Sequence, residues 1–239
     1  MPLPPLSSIV DPALLATRPE ADRYYAAHAS RYLRALDLIR ERVRFSACLD
    51  IGAGPQTRLL AREYPAARID TLGTYHETLY APDTNSEHVM FDLQKCAEPA
   101  DWPAREARYD LIVFMEVLEH LFVSPQRVFE FLHSMLRPGG AILCTTPNAA
   151  RLGNRLLWAR GVSPFHLPRP DGREHDHVRE YTTAELREVA APAGLTVEFH
   201  AVENLYAFSG WKNRALSALA GVLPASFRGI HVYLLRRTP

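Results

Sequence analysis

Two carboxylates and a histidine lie close together in the segment Glu116-Val-Leu-Glu119-His120. At the spacing i, i+3 and i+4, side chains on a helical turn share one face. A histidine in such a group can serve as a general base near neutral pH. Two carboxylates with an imidazole also form the mixed oxygen and nitrogen ligand set of a divalent metal site. The spacing therefore predicts a general base or a metal site, and a structural role for Glu119 is the third interpretation.

A glycine-containing turn comes earlier in the chain, within residues 47–57. A short apolar run ends at Asp50, glycines follow at Gly52 and Gly54, and a helical pattern starts near Thr57. Glycine lets the backbone approach a ligand closely, and the free N–H groups at a helix start face that ligand. Strand, turn and helix N-terminus together predict a nucleotide-binding corner.

Strand and helix patterns alternate along most of the chain. The almost wholly apolar run 109–116 is typical of a central parallel strand that is covered on both faces. The alternation predicts a doubly wound, mostly parallel α/β sheet with its ligand at the carboxyl ends of the strands. Four segments should converge there: 50–57, 73–76, 92–94 and 115–121. The expected strands are 46–52, 67–73, 88–93, 109–116, 141–147, 195–202 and 230–236, and the expected helices are 57–64, 125–136 and 183–193, the last capped by Thr183.

Three segments fall outside this alternation. Residues 21–44 carry apolar and aromatic side chains at helical spacing, which predicts one amphipathic helix, broken at most once. Residues 149–180 show no period and are too long for an ordinary connection, which predicts a lid or a substrate-binding insertion. A strongly apolar helical pattern covers 205–223. The expected division is an N-terminal arm and helix over the ligand site, 1–44, and a main domain, 45–239, with insertions at 149–180 and 205–228.

The composition is that of an ordinary globular protein, with 239 residues of which 47% are hydrophobic and 23% charged. The formal net charge is zero, which argues against nucleic-acid binding through bulk charge. Cys48, Cys96 and Cys144 show no metal-ligand spacing, so we expect buried thiols. The sequence shows neither a signal-peptide pattern nor an apolar run long enough to span a bilayer, and we expect a cytoplasmic protein.

Several motifs, in their order and spacing, resemble those of the class I S-adenosylmethionine-dependent methyltransferases. The resemblance runs from about residue 45 to residue 200 and continues more loosely to the end. It implies a Rossmann-like sheet of order 3-2-1-4-5-7-6 with an antiparallel seventh strand, and S-adenosylmethionine as the cofactor. The motifs are LDIGAG (49–54), FDL (91–93), YDLIVFMEVLEHL (109–121), LRPGGAILCTTPN (136–148) and REYTTAEL (179–186).

The resemblance also implies roles for individual residues. It places the methionine part of the cofactor on the glycine turn, the adenine at the end of the third strand and the pocket floor at the end of the fourth. Two tyrosines of the N-terminal helix are expected either to cap the pocket or to belong to the core. The residues are Asp50, Gly52, Ala53 and Gly54 for methionine, Asp92 and Leu93 for adenine, Met115 and Glu116 for the floor, and Tyr25 and Tyr32 for the cap.

Two positions depart from the family pattern. Gln56 stands where a third glycine is usual, and Gly73 stands where an acid usually binds the ribose hydroxyls. Asp70 comes three residues too early for that role. A carboxylate there makes charge-assisted hydrogen bonds worth roughly 1.5–3 kcal/mol each, so its loss predicts weaker or rearranged cofactor binding. We expect Gly73 and Thr74 to contact the cofactor, and the side chains that can replace the acid are those of Thr74, His76 and Glu77.

The Glu-x-x-Glu-His string is shared with two metal-dependent groups, the ubiquinone-pathway O-methyltransferases and the methyltransferases of the small-RNA 3′-terminal ribose. The RNA group has a further histidine in the context Asp-His-x-x-Glu-aromatic-Thr, which residues 176–182 resemble. The resemblance implies that Glu116, Glu119, His120 and His177 hold a divalent ion such as Mg²⁺, which would bind a vicinal diol and lower the pKa of the acceptor hydroxyl. The alternative keeps His120, Glu119 and His177 as catalytic residues without a metal.

The acceptor is the least specified part of the prediction. Residues 148–161 and 175–182 resemble methyltransferases encoded with bacterial polysaccharide and glycan genes. This favours O-methylation of a sugar-like or other small polar acceptor. An RNA ribose 2′-O-methyltransferase and a non-catalytic cofactor-binding protein are the alternatives, and the zero net charge argues against RNA. The apolar segment 205–223 predicts peripheral membrane contact or packing over the domain or at a dimer interface, in a monomer or a homodimer.

Overall fold

The structure is a computed structural model in which seven strands form one sheet. It describes residues 2–76, 78–81, 86–103, 107–165, 177–205 and 211–238, with the backbone alone at 211–214. The strands are β1 (Ala47–Ile51), β2 (Arg68–Gly73), β3 (His88–Met90), β4 (Tyr109–Met115), β5 (Leu136–Pro147), β6 (Leu195–Glu203) and β7 (Ile230–Arg237). Their order is β3-β2-β1-β4-β5-β7-β6, with β7 antiparallel to both neighbours and the other pairs parallel. The predicted strand order and fold class are confirmed.

Helices cover both faces of the sheet. They are α1 (Pro12–Leu15), α2 (Ala21–Ala27), α3 (Ala29–Arg42), α4 (Pro55–Glu63), α5 (Pro125–Met135), α6 (Leu152–Ala159), α7 (Thr183–Ala190) and α8 (Trp211–Val222). In β4, Ile112 and Phe114 join a buried cluster with α5 and α7, whereas Leu111 and Val113 join a second buried cluster with α3 and α4. The apolar run of β4 is therefore explained by burial on both faces.

The register of the parallel strands brings several chain segments to one edge of the sheet. Ile51 of β1 pairs with Leu72 of β2 and with Phe114 of β4. Met115 of β4 pairs with Thr145 of β5. The turns that follow β1, β2 and β4 therefore leave the sheet side by side, as the sequence pattern predicts.

The N-terminal residues form short helices that pack on this framework. The predicted helix over 21–44 is broken once, at His28, into α2 and α3. Helix α3 buries Leu36 and Ile39 in the same cluster as Leu111 of β4. The preceding residues, predicted to be irregular, contain a 3₁₀ turn at Leu6–Ser8 and the short helix α1.

Several local predictions differ from the structure: β3 ends at Met90 rather than 93, and β5 begins at Leu136 rather than 141. The cap of α7 is Thr182 rather than Thr183, because Thr182 lies three residues before Glu185 and the two form a reciprocal capping box. The segment 149–180, predicted to lack a period, contains the eight-residue helix α6. Its apolar spacing is hidden because Leu156 and Trp158 are exposed, whereas the polar Asn154 is buried and donates to the carbonyl of Ala149 at 3.0 Å. Residues 166–176 of this segment lie outside the described part of the chain.

The apolar segment before β7 forms α8, which exposes Leu219 and Val222. The side chains of Trp211, Lys212 and Arg214 lie outside the described residues, so membrane contact here stays a prediction. Among the described residues, the helices are too short or too polar to cross a bilayer. All three cysteines are buried free thiols, as expected.

Asp70 anchors the amino-terminal end of the sheet. Its carboxylate is fully buried and accepts hydrogen bonds from Arg68 Nε at 2.8 Å, Arg108 Nη2 at 3.0 Å, the Tyr109 hydroxyl at 2.9 Å and the Glu87 amide at 2.8 Å. All of its partners lie away from the strand ends that gather at the opposite edge. Asp70 is therefore a structural carboxylate that ties β2 to the chain before β3 and to β4.

We expect Asp70→Ala to lower the free energy of unfolding by about 2–4 kcal/mol, because the Tyr109 hydroxyl and the Glu87 amide lose their acceptor at about 1–3 kcal/mol each. Urea denaturation followed by circular dichroism measures the change. The matched control is Asp37→Ala, whose exposed carboxylate contacts Arg40 at 2.9 Å and should contribute less than about 1 kcal/mol. Equal effects of the two substitutions would contradict the anchoring role.

Candidate active site

A pocket of about 450 Å³ opens at the carboxyl ends of β1, β2 and β4. This volume lies within the range of roughly 300–1,000 Å³ that is usual for small-molecule and cofactor sites. The wall comes from the turn after β1, the chain after β2, the end of β4 and the N-terminal helices. The sequence-predicted residues that line it are Gly52, Ala53, Gly54, Gly73, Thr74, Met115, Glu116 and Tyr32.

The turn after β1 is held open by a chain of hydrogen bonds. Gly52 has a φ of +74°, a backbone conformation that favours glycine. The amide of Gly54 donates to the Thr57 hydroxyl at 2.9 Å, and that hydroxyl donates to the buried carboxylate of Asp50. Gln56, at the position of the usual third glycine, folds back so that its side-chain amide donates to the carbonyl of Gly52 at 3.2 Å. Gln56 therefore braces the turn rather than blocking it.

Asp50 lies behind this turn and does not line the pocket. Its side chain is fully buried, and burial raises its pKa to about 7, against the hydrogen bond from Thr57, which lowers it. The carboxyl group therefore supports the pocket wall through Thr57 and Gly54. Its position is consistent with shaping the cradle from beneath.

The end of β2 carries Gly73 and Thr74 into the pocket wall. His76 does not line the pocket and instead meets the ring of His88 edge-on at 5.2 Å. Glu77, the third predicted substitute for the missing acid, lies outside the described residues. A different acid lines the pocket: Glu20, which immediately precedes α2. Sequence reasoning expected the arm over the ligand site but missed Glu20, because nothing in the local pattern singles out this residue.

Three further predicted residues lie outside the pocket wall. Asp92 accepts a hydrogen bond from the amide of Gln94 at 2.9 Å and so caps the following 3₁₀ turn, and Leu93 is buried in the core. Tyr25 donates its hydroxyl to the carbonyl of Pro4 at 2.9 Å and belongs to the core. The neighbouring Tyr24 lines the pocket together with Tyr32.

Glu116 joins the pocket wall to the N-terminal helices. Its carboxylate contacts Arg31 of α3 at 3.1 Å, with both side chains largely buried, and accepts the Thr145 hydroxyl at 2.8 Å. Its φ of +55° is rare for a residue with a Cβ atom, and such strain clusters at functional sites. This backbone bend sends Glu116 into the pocket, so it does not share a helical face with the residues that follow.

Glu119, His120 and His177 form a compact cluster beside the pocket. One ligand atom from each lies within 4.8 Å of the others. The Glu119 and His120 side chains approach to 4.0 Å, and the His120 and His177 rings meet edge-on at 5.1 Å. The amide of Val178 donates to the carbonyl of Glu119 at 2.8 Å, which ties the two segments together. Glu116, the fourth predicted ligand, is not a member of this cluster.

The carboxyl group of Glu119 is fully buried. Burial, together with the nearby charge of Glu116, raises its pKa well above the usual value. Its Oε2 accepts the Thr146 hydroxyl at 3.0 Å, while Oε1 accepts no hydrogen bond from the described residues. A buried oxygen without a donor is costly, and a proton, a cation or a buried water would satisfy it.

Glu180 orients the third member of the cluster. Its buried carboxylate contacts His177 Nδ1 at 2.9 Å and accepts hydrogen bonds from Arg151 and from Asn154 at 2.8 Å. These hydrogen bonds hold the pKa of Glu180 below its usual value despite burial. Because an ionised carboxylate only accepts, Nδ1 of His177 is the donor in this contact, which leaves Nε2 as the ring nitrogen available to the cluster. Glu180 stood within the motif 176–182, but nothing in the sequence indicated this contact.

The comparison with family models matches residues 21–199 to the methyltransferase domain family. The chain belongs to this family. A "probable S-adenosylmethionine-dependent methyltransferase" of Mycolicibacterium smegmatis is 35% identical over 103 residues, covering 41% of this chain and 33% of that protein. A ubiquinone biosynthesis O-methyltransferase of Psychrobacter arcticus is 28% identical over 153 residues, covering 62% of this chain and 58% of that protein. The chain thus spans less than two thirds of the length of these relatives.

Solved structures show the same fold. A Haloferax volcanii protein, solved in complex with the methyltransferase activator Trm112, has a TM-score of 0.64 at 17% identity, with 95% of this chain and 97% of that one covered. A Burkholderia thailandensis N-methyltransferase with bound S-adenosylhomocysteine and substrate has a TM-score of 0.58 at 16% identity, with 95% and 86% covered. At these identities the likeness extends to the fold alone.

The pocket fits S-adenosylmethionine, the cofactor of this family. A Cβ atom on Gly54 would approach the end of the flexible Gln56 side chain to 2.7 Å, so a side chain at position 54 would displace Gln56 from the turn. Arg31 and Glu116 supply both signs of charge for an amino-acid moiety, and Tyr24 and Tyr32 supply aromatic surface. The departure at Gly73 changes one wall and leaves this cradle intact.

The raised pKa of Asp50 predicts an unusual pH dependence of stability. Between about pH 4 and pH 7 the folded protein keeps a proton that the unfolded chain releases, so this group's contribution to stability falls as the pH rises through that window. Asp50→Asn should therefore gain stability relative to wild type as the pH rises, by up to about 1.4 kcal/mol per pH unit. Urea denaturation of the cofactor-free protein at several pH values measures this.

Asp110→Asn serves as the control, because its effect on stability should have the opposite pH dependence. Hydrogen bonds from the Ser46 and Ala47 amides and from Arg137 hold the pKa of Asp110 below its usual value, although burial opposes them. Its contribution to stability is present at higher pH and lost as the pH falls. Parallel curves for wild type and Asp50→Asn between pH 4 and 7 would contradict the assignment.

Proposed function

We propose that this protein is an S-adenosylmethionine-dependent O-methyltransferase that acts on a hydroxyl group of a sugar-like or other small polar acceptor. The observation that carries the proposal is the cluster of Glu119, His120 and His177 at the edge of the cofactor pocket. Glu116 and Val117 line that pocket, and the turn Leu118–His120 follows them directly. A hydroxyl held by the cluster would therefore lie next to the cofactor.

The chemistry divides between cofactor and protein. When bound, S-adenosylmethionine supplies an electrophilic methyl group on a sulfonium centre. The protein has to place the acceptor oxygen in line and provide for removal of its proton as the new oxygen–carbon bond forms. His177, whose Nδ1 is held by Glu180, and the ring of His120 are the groups in this cluster that can take up that proton.

The mechanism can operate with a divalent cation at the cluster or with a histidine base alone. The side chains favour the divalent cation. The Glu119 oxygen without a hydrogen-bond donor and the carboxylate behind His177 are both typical of metal sites, where a second carboxylate orients a ligating histidine. One carboxylate and two imidazoles suit Mn²⁺, Co²⁺ or Zn²⁺ better than Mg²⁺, which prefers oxygen ligands. Such an ion would bind the acceptor oxygen and lower the pKa of its hydroxyl.

The relatives support transfer to oxygen. The similar proteins of Psychrobacter arcticus and Pseudoalteromonas translucida are both ubiquinone biosynthesis O-methyltransferases by name. The chain's own cluster agrees with this direction, because a hydroxyl needs help in losing its proton whereas an amine does not need a metal for this step. The sugar-like acceptor rests on the resemblance of residues 148–161 and 175–182 to glycan-linked methyltransferases.

We further propose that Glu20 replaces the ribose-binding acid that β2 lacks. Glu20 lines the same pocket as Gly73 and Thr74 and reaches it from the N-terminal arm. Glu20→Gln should weaken S-adenosylhomocysteine binding about 10-fold, because a charge-assisted hydrogen bond is worth roughly 1.5–3 kcal/mol. Isothermal titration calorimetry measures this, with Asp22→Asn on the exposed side of α2 as the matched control. Unchanged affinity in Glu20→Gln would remove Glu20 from the site.

His120→Ala should abolish methyl transfer while leaving S-adenosylhomocysteine affinity within a few-fold, because His120 is not part of the cofactor pocket wall. Release of S-adenosylhomocysteine with a panel of sugars and glycosides measures transfer. Activity lost on chelation with EDTA and restored by Mn²⁺ would support the metal. Full activity in EDTA would favour a histidine base instead, and binding of S-adenosylhomocysteine without turnover of any acceptor would favour a non-catalytic protein.

Mn²⁺ binding followed by electron paramagnetic resonance separates the metal from the reaction. Glu119→Gln should abolish binding, and Glu180→Gln should weaken it about 10- to 100-fold, the usual effect of losing a carboxylate behind a ligating histidine. Glu188→Gln on the exposed face of α7 is the control and should bind like wild type. Equal Mn²⁺ affinity in all three variants would place the ion elsewhere.

A further inference from the structure

A second pocket, of about 140 Å³, lies between α6, α8 and the chain that leads into β7. The side chains that line it are mostly apolar, and Arg151 stands at its polar side. Nothing in the mechanism above uses this space. The apolar residues in its wall are Leu152 of α6, Leu205 after β6, Leu216 and Ala220 of α8, and Phe227 before β7.

This pocket lies on the same edge of the sheet as the cofactor pocket. Pro147 at the end of β5 pairs with Ile230 at the start of β7, and Ile230 pairs with Glu203 at the end of β6. Asn204 and Gly229, which adjoin these positions, line the second pocket. The cofactor pocket covers the ends of β1, β2 and β4, so the two pockets occupy the two halves of one edge.

The cluster of Glu119, His120 and His177 connects the two halves. Glu119 accepts the hydroxyl of Thr146 in β5, the strand between them. Arg151, in the wall of the second pocket, donates to Glu180, and Glu180 contacts His177. A chain of hydrogen-bonded side chains, Arg151 to the buried Glu180 to His177, therefore links the wall of the second pocket to the cluster.

The polar atoms in the wall of the second pocket are largely satisfied by the protein. The Asn204 side chain donates to the carbonyl of Ser217 at 3.0 Å and accepts the amide of Gly229 at 3.0 Å. The remaining surface is apolar. An apolar protein cavity of about 150 Å³ binds benzene, so this space suits one aromatic ring or a short branched alkyl group.

We propose that the second pocket binds a ring-sized apolar group of the acceptor while the acceptor's hydroxyl lies at the cluster. The acceptor class is then a polar, hydroxyl-bearing molecule that carries one aromatic ring or branched alkyl substituent, such as an aryl glycoside. This inference rests on the proposed function, because it uses the cluster as the place of the reacting hydroxyl.

Binding of fluorobenzene, followed by fluorine NMR in the presence of S-adenosylhomocysteine, tests the pocket directly. Ala220→Leu places three more carbons in the cavity and should weaken binding at least 10-fold. Ala218→Leu is the matched control, because Ala218 is exposed on the same helix and does not line the pocket. Absence of binding to wild type, or equal weakening by both substitutions, would overturn the proposal.

A second variant guards against misfolding of Ala220→Leu. Leu216→Ala enlarges the same cavity and should shift the preference from fluorobenzene towards the larger 1-fluoronaphthalene, whereas Leu219→Ala on the exposed face of α8 should leave the preference unchanged. Identical preferences in the two leucine variants would also overturn the proposal.

The link to the acceptor is tested by transfer kinetics with paired glycosides. Phenyl glycosides should show a KM at least 10-fold lower than the matching methyl glycosides, and Ala220→Leu should remove this difference with little change in kcat. Equal KM values in wild type would overturn the acceptor assignment. The two proposals fail differently: fluorobenzene binding without S-adenosylhomocysteine binding contradicts the proposed function, and the reverse result contradicts this inference alone.

Discussion

The register between β4 and its neighbours is the constraint on which the rest of the site depends. Phe114 pairs with Ile51 on one side and with Cys144 on the other, so β1 and β4 end at nearly the same level, while β5 continues to Pro147. A slip by one residue would turn every side chain of β4 to the opposite face of the sheet. Its apolar residues would then pack against the wrong helices on both faces. The left-handed bend at Glu116 is possible at this point because the strands on both sides hold the backbone that enters it.

That bend separates two functions within a few residues. Glu116 turns into the cofactor pocket, where Arg31 and Thr145 fix its carboxylate. Glu119 turns the other way, towards His120 and His177. The sequence-based prediction treated these acids as one helical face, which is the natural inference from i, i+3 spacing in the absence of the bend. The motif identified the residues, and only the backbone shows that they serve different parts of the site.

Local patterns were sufficient to place the strands, because apolar runs and glycine turns mark each of them, whereas the strand order and the antiparallel β7 were implied by the family resemblance. The site residues that the sequence did not indicate are those brought together by tertiary contacts. Glu20 reaches the pocket from an arm whose position depends on packing of α3, and Glu180, three residues after His177, is fixed by contacts with the distant Arg151 and Asn154. Asp70 had seemed three residues from a ribose-binding position, and its four donors show that it belongs to the other end of the sheet.

The walls of the two pockets come largely from segments outside the sheet. The arm and α2 cover the cofactor end, whereas α6, α8 and the loop at Val178 shape the acceptor end. Solved structures at 16–17% identity keep the same sheet. Because one fold can carry many functions, we expect acceptor specificity to reside in these peripheral segments. Arg151 and Glu180 connect the two parts of the acceptor site that we propose. Their ion pair joins the wall of the apolar pocket to His177 of the cluster.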